Sequence, residues 1–229
     1  MLRHDRRRPL EKRRPVTLES ALPYLSVAAA LAAGVAAREP GSARERALKT
    51  LALAALALFS YFRGIAPTEV PAALALGAIA ESLTRPGVPR WRAGEVLFRM
   101  GSRLVFAYLF LRIGEGRAAF LGDAIKAGLL VVLLAAGGFW SVRMWSAAGR
   151  ERVWAMGDAG ALLLMAVSVL TLYWSFWPAM AGALAVLASE GLLFASAFSG
   201  RIPDSHLLRR SAWVCGYLGQ TAMAYAFLR

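Results

Sequence analysis

The sequence has very few of the residues from which disulfides and metal sites are built. Its 229 residues include one cysteine, Cys215, and two histidines, His4 and His206. A single cysteine excludes a disulfide within the chain, and these three side chains cannot supply an ordinary zinc site. We therefore expect no metal and no other cofactor, so any chemistry has to come from carboxylates, hydroxyls, amides and basic side chains.

Acidic residues are also scarce, with 14 Asp and Glu against 27 Lys and Arg, for a formal charge of +13. Such an excess can indicate binding to nucleic acid. Here the basic residues fall mainly at the ends of apolar segments and in short connections, which is how membrane proteins set their orientation and meet anionic lipid. The pattern predicts membrane lipids as partners and no nucleic acid, and it identifies no protein partner.

Apolar residues, by contrast, are abundant. They make up 58% of the chain, which is more than a soluble domain can bury, so the sequence predicts an all-α, polytopic integral membrane protein. We divide it into a basic, flexible N-terminal tail, residues 1–17, and a single transmembrane helical domain, residues 18–229. The expected location is a cell membrane, the bacterial inner membrane.

Eight apolar segments predict about eight transmembrane helices in one bundle. Roughly 20 residues at about 1.5 Å each are needed to cross the hydrocarbon core. The predicted spans are Ala21–Ala37, Leu48–Phe62, Ala66–Leu83, Glu95–Ile113, Ala118–Trp140, Val153–Trp174, Pro178–Phe198 and Ser211–Leu228. The connections between them are short and contain Pro, Gly and charged residues, as in Thr84–Arg92 and Arg143–Arg152.

Two acidic residues inside apolar spans are the main functional signal. Glu190 is the only charge in Pro178–Phe198, and Glu81 follows the apolar run Ala78–Ala80. An acid at mid-bilayer costs about 2–3 kcal/mol on insertion scales, so both side chains should face the interior of the bundle. Two carboxyls in one cavity resist simultaneous ionisation, so one can act as an acid and the other as a base. We predict Glu190, the deeper residue, as the proton donor and Glu81 as the base; the simpler alternative is that Glu190 only joins helices.

Polar residues on the other spans are candidates for binding a substrate. Arg99, Ser102 and Arg103 share one face of the fourth span, at positions i, i+3 and i+4. The two arginines could bind a phosphate, or they could neutralise the acids in an internal salt-bridge network. The complete set of candidate substrate-binding residues is Arg99, Arg103, Ser189, Asp158, Tyr217 and Gln220.

Other charged residues have structural explanations. Asp123 and Lys126 are three residues apart and are predicted to form an ion pair on their own helix. Asp158 and Glu69 lie near predicted helix starts, where a negative charge favours the helix dipole.

Short motifs resemble those of the YhhN family of eight-helix membrane proteins. Gly182–Glu190 is similar to a Gly-Ala-rich run that ends in Ser-Asp in that family, and Tyr217–Gln220 is similar to a Tyr-x-x-Gln in its last helix. Phe198-Ser199-Gly200 is similar to its short loop after a Phe, and Gly77–Leu83 resembles its Gly-Asp motif, with Ala80-Glu81 at those positions. Helix number and order are similar across nearly the whole chain.

This resemblance implies an activity. The family includes lysoplasmalogenases, integral membrane enzymes that hydrolyse the vinyl-ether bond of lysoplasmalogens to a fatty aldehyde and a glycerophospho-base. It implies an enzyme acting on a lysophospholipid or another lipid, with Glu190 and Glu81 as catalytic residues where the family has Asp. The chain departs from the family in that Leu109 or Phe110 occupies the place of its His. Two alternatives stay open: a non-catalytic lipid-binding or assembly protein of the same fold, and a proton-coupled transporter that uses the buried carboxylates.

Overall fold

The computed structural model describes residues 18–36, 42–84, 93–149, 152–199 and 205–228. These residues form eight long helices, one four-residue helix and one 3-10 turn, with no strand among them. The helices are α1 Leu18–Ala36, α2 Ala43–Arg63, α3 Glu69–Leu83, α4 Ala93–Ile113, α5 Ala118–Leu121, α6 Ala124–Ala147, α7 Arg152–Val169, α8 Trp177–Ser199 and α9 His206–Ala226. The predicted basic tail, residues 1–17, and most of the predicted break Thr84–Arg92 lie outside the described residues.

Three stretches of the described chain are long and apolar enough to cross a membrane. They are α6, α7 and Trp174–Ser196, which contains most of α8, and α1 adds the shorter apolar segment Ser20–Val35. In α6 only 11% of the apolar window is buried, and large side chains such as Val131 and Val142 face outward. A long apolar helix with an apolar outer surface is suited to lipid rather than water. These three candidate spans support integration of the chain in a membrane.

Seven of the long helices pack in a closed order around one interior. α1 packs on α2, α2 on α3, α3 on α4, α4 on α7, α7 on α8 and α8 on α9, and α9 returns to α1. The eighth, α6, packs on α7 from outside. Because the order closes, residues on α3, α4, α7, α8 and α9 can meet in the interior although they are far apart in sequence.

Capping explains why two helices begin earlier than predicted. α2 begins at Ala43 rather than Leu48 because the hydroxyl of Ser42 accepts a hydrogen bond from the backbone N–H of Glu45 at 3.1 Å. In the same way Ser205 accepts from the backbone N–H of Leu208 at 3.1 Å, so α9 begins at His206. The predicted spans contain the apolar runs alone, so the polar first turns of these helices fall outside them.

The predicted fifth span, Ala118–Trp140, is two helices. α5 ends at Leu121, and Asp123 starts α6 by accepting hydrogen bonds from the backbone N–H groups of Ile125, at 2.9 Å, and Lys126, at 3.2 Å. The carboxylate of Asp123 also accepts from Trp174 Nε1, and the ammonium of Lys126 donates to a backbone carbonyl, so the predicted Asp123–Lys126 ion pair does not form. α6 then continues to Ala147, into the segment that was predicted to be a polar loop.

The predicted sixth span ends five residues early, because the chain turns after Val169 and is fixed there by hydrogen bonds. The carbonyl of Thr171 accepts from the backbone N–H of Glu115 at 2.8 Å. The ammonium of Lys126 donates to the carbonyl of Leu172 at 2.6 Å. These contacts tie the connection between α7 and α8 to the neighbouring α4–α6 segment.

Candidate functional site

Glu81 on α3 and Glu190 on α8 line one cavity in the interior of the helix ring. Its volume is about 40 Å³, and one water molecule needs at least about 10–15 Å³ of such space. Arg99, Arg103 and Gln220 contribute further polar groups, and apolar side chains of α2, α4, α7, α8 and α9 close the walls. The structure thus brings together the two carboxyls that the sequence placed on different helices.

Arg103 and Asp158 form the centre of an ion network beside this cavity. Arg103 donates from Nη1 to the carboxylate of Asp158 and to its backbone carbonyl, the latter at 3.0 Å. Its Nη2 lies 3.4 Å from Oε2 of Glu190. Arg99 donates to the carboxylate of Glu95, and its Nη1 lies 3.7 Å from Oδ2 of Asp158. Two arginines and three acids from α4, α7 and α8 therefore form one connected group.

Burial decides how this network should be understood. Asp158 has no exposed surface, and the side chain of Arg103 is 5% exposed. A buried charge is tolerated only with a partner, so each of these groups depends on the other. The geometry matches the alternative in which the arginines neutralise acids, although Arg99 and Arg103 both also line the cavity.

The two candidate catalytic acids have different surroundings. Glu190 is within ion-pair distance of Arg103. Glu81 lies in the last turn of α3 and makes no ion pair with any other described residue. Of the two acids, Glu190 is therefore the one that has an ion-pair partner at the cavity.

Gln220 is the third predicted polar residue at the cavity. Its Oε1 atom is buried and has no hydrogen-bond partner among the described residues. Buried polar atoms without a partner are rare in folded proteins, and each calls for an explanation. Gln220 therefore offers the cavity a hydrogen-bonding group that the protein itself does not use.

The other three candidate binding residues do not line the cavity. The hydroxyl of Ser189 donates to the carbonyl of Val186 at 2.8 Å. Tyr217 shares a hydrogen bond of 2.6 Å with Ser26, which ties α9 to α1. Asp158 lies behind the arginines and holds them, as described above. The structure therefore places these three side chains next to the residues of the cavity wall and not in the wall itself.

Glu95 is a member of the network that the sequence analysis did not single out. It is buried and bonded to Arg99, one turn further along α4. The i, i+4 spacing of an acid and an arginine within an apolar helix was the available signal. Ser102, which shares a face with the arginines in the sequence, also lines the cavity.

Two negative observations complete the site. Among the described residues, no group of three or more His, Cys, Asp or Glu side chains could hold a metal ion. Leu109 and Phe110, one of which takes the place of the YhhN-family His, are both fully buried in the apolar core. The polar groups that line the cavity are carboxyl, guanidinium, amide and hydroxyl groups.

No protein-family model, curated protein or solved structure matches this chain. The resemblance to the YhhN family rests on the short motifs quoted above. Fold and site define a helical membrane protein with a buried cluster of acids and arginines beside a small polar cavity.

Proposed function

We propose that this chain is a membrane hydrolase that cleaves the vinyl-ether bond of a lysoplasmalogen into a fatty aldehyde and a glycerophospho-base. The single observation that carries the proposal is that Glu81 and Glu190, from two separate helices, line the same cavity. The substrate class comes from the family resemblance. In this proposal all eight long helices cross the membrane, the bacterial inner membrane, and the cavity lies within its apolar layer.

The surroundings of the two acids support roles opposite to those expected from depth alone. Arg103 lies 3.4 Å from Glu190, and an ion pair with a guanidinium suits a residue that works as a carboxylate base. Glu81 makes no ion pair within 4 Å among the described residues, which leaves it as the acid of the two. We therefore assign proton donation to Glu81 and the activation of water to Glu190.

The reaction then needs only these two groups and water. Glu81 gives its proton to the vinyl carbon farther from the ether oxygen, and the π electrons form the new C–H bond, which leaves an oxocarbenium ion. Glu190 takes a proton from water as the water oxygen bonds to the cationic carbon, which gives a hemiacetal. Glu190 returns that proton to the ether oxygen as its bond to carbon breaks, and Glu81 takes the proton of the hemiacetal hydroxyl. Both acids recover their starting states, and the aldehyde and the alcohol are released.

The size of the cavity limits what can enter it. A space of about 40 Å³ holds water-sized groups and not a whole lysophospholipid. We propose that the lipid brings its vinyl-ether bond to the cavity from the membrane while its chain and head group stay outside. An activity of this kind requires the helices beside Glu81 to part during turnover.

Aldehyde release from a defined lysoplasmalogen by the purified protein in lipid nanodiscs tests the proposal. In D2O the aldehyde should carry one deuterium on the carbon next to its carbonyl, detected by mass spectrometry, because that carbon receives the proton from Glu81. Glu81→Gln and Glu190→Gln should each lose about 10²–10⁴-fold in rate. Glu115→Gln, a partly exposed acid near Lys126, is the matched control and should keep wild-type turnover. Wild-type protein that releases no aldehyde, or Gln variants with full turnover, would contradict the proposal.

One observation favours the lipid-binding alternative over the transporter. The core position of Leu109 and Phe110 has no ionisable side chain where the resembled family has a His. A protein that lost one catalytic group could retain lipid binding on the same fold. It would bind lysophospholipid in the nanodisc assay and release no aldehyde, and neither Gln variant would change that binding.

A further inference from the structure

Two buried polar atoms without hydrogen-bond partners belong to residues that line the same cavity. One is Oε1 of Gln220 and the other is Nη1 of Arg99, and neither has a hydrogen-bond partner among the described residues. Oδ2 of Asp158 lies 3.7 Å from Arg99 Nη1, beyond hydrogen-bonding distance. A polar contact of that length is the kind that a water molecule commonly bridges.

The cavity meets the physical requirements for water. Its 40 Å³ exceeds the space that one water needs, and its wall offers an amide, two guanidinium groups, two carboxyls and the hydroxyl of Ser102. A buried water normally makes about three hydrogen bonds to groups of this kind. The side-chain amide of Gln220 can accept a hydrogen bond from the water or donate one to it.

A substitution at Gly77 can fill part of the cavity without altering a polar group. A Cβ at Gly77 would lie 3.6 Å from the side chains of Leu53 and Ser102 and 3.8 Å from Oε1 of Gln220. All three neighbours line the cavity. These are ordinary van der Waals distances, so an alanine methyl group would occupy cavity space next to the amide without a clash.

We infer that the cavity is a built water site in which Gln220 holds the water beside Glu190. The catalytic part of this inference rests on the proposed hydrolase function, in which that water is the nucleophile that attacks the oxocarbenium carbon. Gln220 is then a positioning residue: it fixes the water oxygen, and Glu190 removes the proton. The water site itself does not depend on the reaction and can be tested without substrate.

Methionine oxidation provides a test of the water that is independent of activity. X-ray pulses generate hydroxyl radicals from bound water, and these radicals convert an adjacent methionine to its sulfoxide, which mass spectrometry quantifies. Met165 and Met223 line the cavity, whereas Met144 does not, and all three are equally buried at 1% exposure. Met144 is therefore an internal control for radicals that arrive from outside.

The purified protein in nanodiscs should show several-fold faster oxidation of Met165 and Met223 than of Met144. Gly77→Ala and Gln220→Leu should each reduce that excess towards the rate of Met144. Gly138→Ala, on the outer helix α6 with open space around it, is the matched glycine control and should leave the ratio unchanged. Equal oxidation of the three methionines in the wild type would overturn the water site, whatever the activity.

Aldehyde release separates this inference from the proposed function. If the wild type is active, Gln220→Leu should lower the rate while lysophospholipid binding is retained, and the unchanged rate of such a variant would overturn the positioning role. If the wild type is inactive, the hydrolase proposal fails and with it the role of the water as nucleophile. The oxidation ratio still decides in that case whether the cavity holds water.

Discussion

The guanidinium of Arg103 lies 3.4 Å from the carboxylate of Glu190 and is held in that position by Asp158, a fully buried acid on a different helix. This makes the candidate base part of a network that extends through Arg99 to Glu95. The orientation of Glu190 therefore depends on residues that have no contact with the cavity. Substitutions in that network should therefore show whether a residue contributes to the stability of the protein or to the proposed reaction.

Arg103→Gln should destabilise the protein by about 3–5 kcal/mol, because it removes the guanidinium bonded to Asp158 and leaves that buried acid only Arg99, at 3.7 Å. The double variant Arg103→Met with Asp158→Leu should recover much of that loss, since it removes both charges together. Arg112→Gln is the surface control: Arg112 pairs with Glu69 but its side chain is 46% exposed, so the cost should be within about 1 kcal/mol. Equilibrium unfolding in detergent measures all three.

If the arginines bind a phosphate instead, we expect the opposite effects on binding and on unfolding. In that case Arg103→Gln would weaken lysophospholipid binding and leave unfolding close to that of Arg112→Gln. That result would contradict the structural role that we assign to the pair of Arg103 and Asp158.

Tyr217→Phe should lower stability by about 0.5–1.5 kcal/mol and leave the affinity for lysophospholipid unchanged. Its hydroxyl is bonded to Ser26 at 2.6 Å and it does not line the cavity. Ser26 keeps a second hydrogen bond, to the carbonyl of Ala52 at 2.7 Å, so no group is left without a partner. Tyr108→Phe, at an exposed position, is the control for loss of a phenol. If Tyr217→Phe binds lysophospholipid more weakly and Tyr108→Phe does not, Tyr217 belongs to the binding site.

The convergence of Glu81 and Glu190 could be predicted from the sequence because one physical cost dominates. A carboxyl in lipid is expensive enough that an acid within an apolar span has to face protein, and two such acids have one interior to share. The partners of these acids could not be predicted in the same way. Asp158 contacts Arg103 because α7 packs on α4. The spacing of residues along the sequence does not show which helices pack against each other.

The error at Asp123 has a local cause. An acid three residues before a lysine fits a pair on a helix surface, and it equally fits an N-cap at the start of a helix. Gly122 directly before it was the signal that distinguished the two, because glycine weakens the helix that would have to continue through that point. Tyr217 is a different case, since its partner Ser26 is 191 residues away and only the return of α9 to α1 brings them together.

The stability of the α5–α6 junction should depend on the charge of Asp123, which precedes the apolar helix α6. The hydrogen bond from Trp174 Nε1, with those from the backbone N–H groups of Lys126 and Ile125, holds the pKa of the Asp123 carboxyl below its ordinary value. A lowered folded-state pKa means that the stabilisation is fully present above the unfolded-state pKa of about 3.9 and is lost as the pH falls through the lower folded value.

The wild type should therefore unfold at a higher temperature than Asp123→Asn at neutral pH, by a margin that is constant down to about pH 5 and shrinks below it. Thermal unfolding in detergent from pH 7 to pH 3 measures the margin. Trp174→Phe removes the largest cause of the pKa shift and should flatten the pH dependence. A margin that does not change with pH would show that the charge of Asp123 makes no contribution.

The crossing of α8 and α9 should tolerate no side chain at Gly182, and this crossing positions both Glu190 and Gln220. A Cβ at Gly182 would lie well inside contact distance of the carbonyl oxygen of Gly219, and a Cβ at Gly219 would meet the carbonyl of Gly182 in the same way. Backbone atoms on both sides leave no flexible group that could move, so Gly182→Ala has to push the helices apart. Overpacking of this kind typically costs about 1–3 kcal/mol.

Gly191→Ala provides the matched control on the same helix, directly after Glu190, because a Cβ there meets nothing within 4 Å. It should be neutral or stabilising by up to about 1 kcal/mol, since alanine is the better helix former. We expect Gly182→Ala to lose both stability and aldehyde release and to lower the oxidation of Met223, which lies against Gly182. Gly191→Ala should be at least as stable as the wild type and should match it in aldehyde release and oxidation. If both variants behave alike, close contact between α8 and α9 does not hold the site together, because a methyl group at Gly182 meets α9 and one at Gly191 meets nothing within 4 Å.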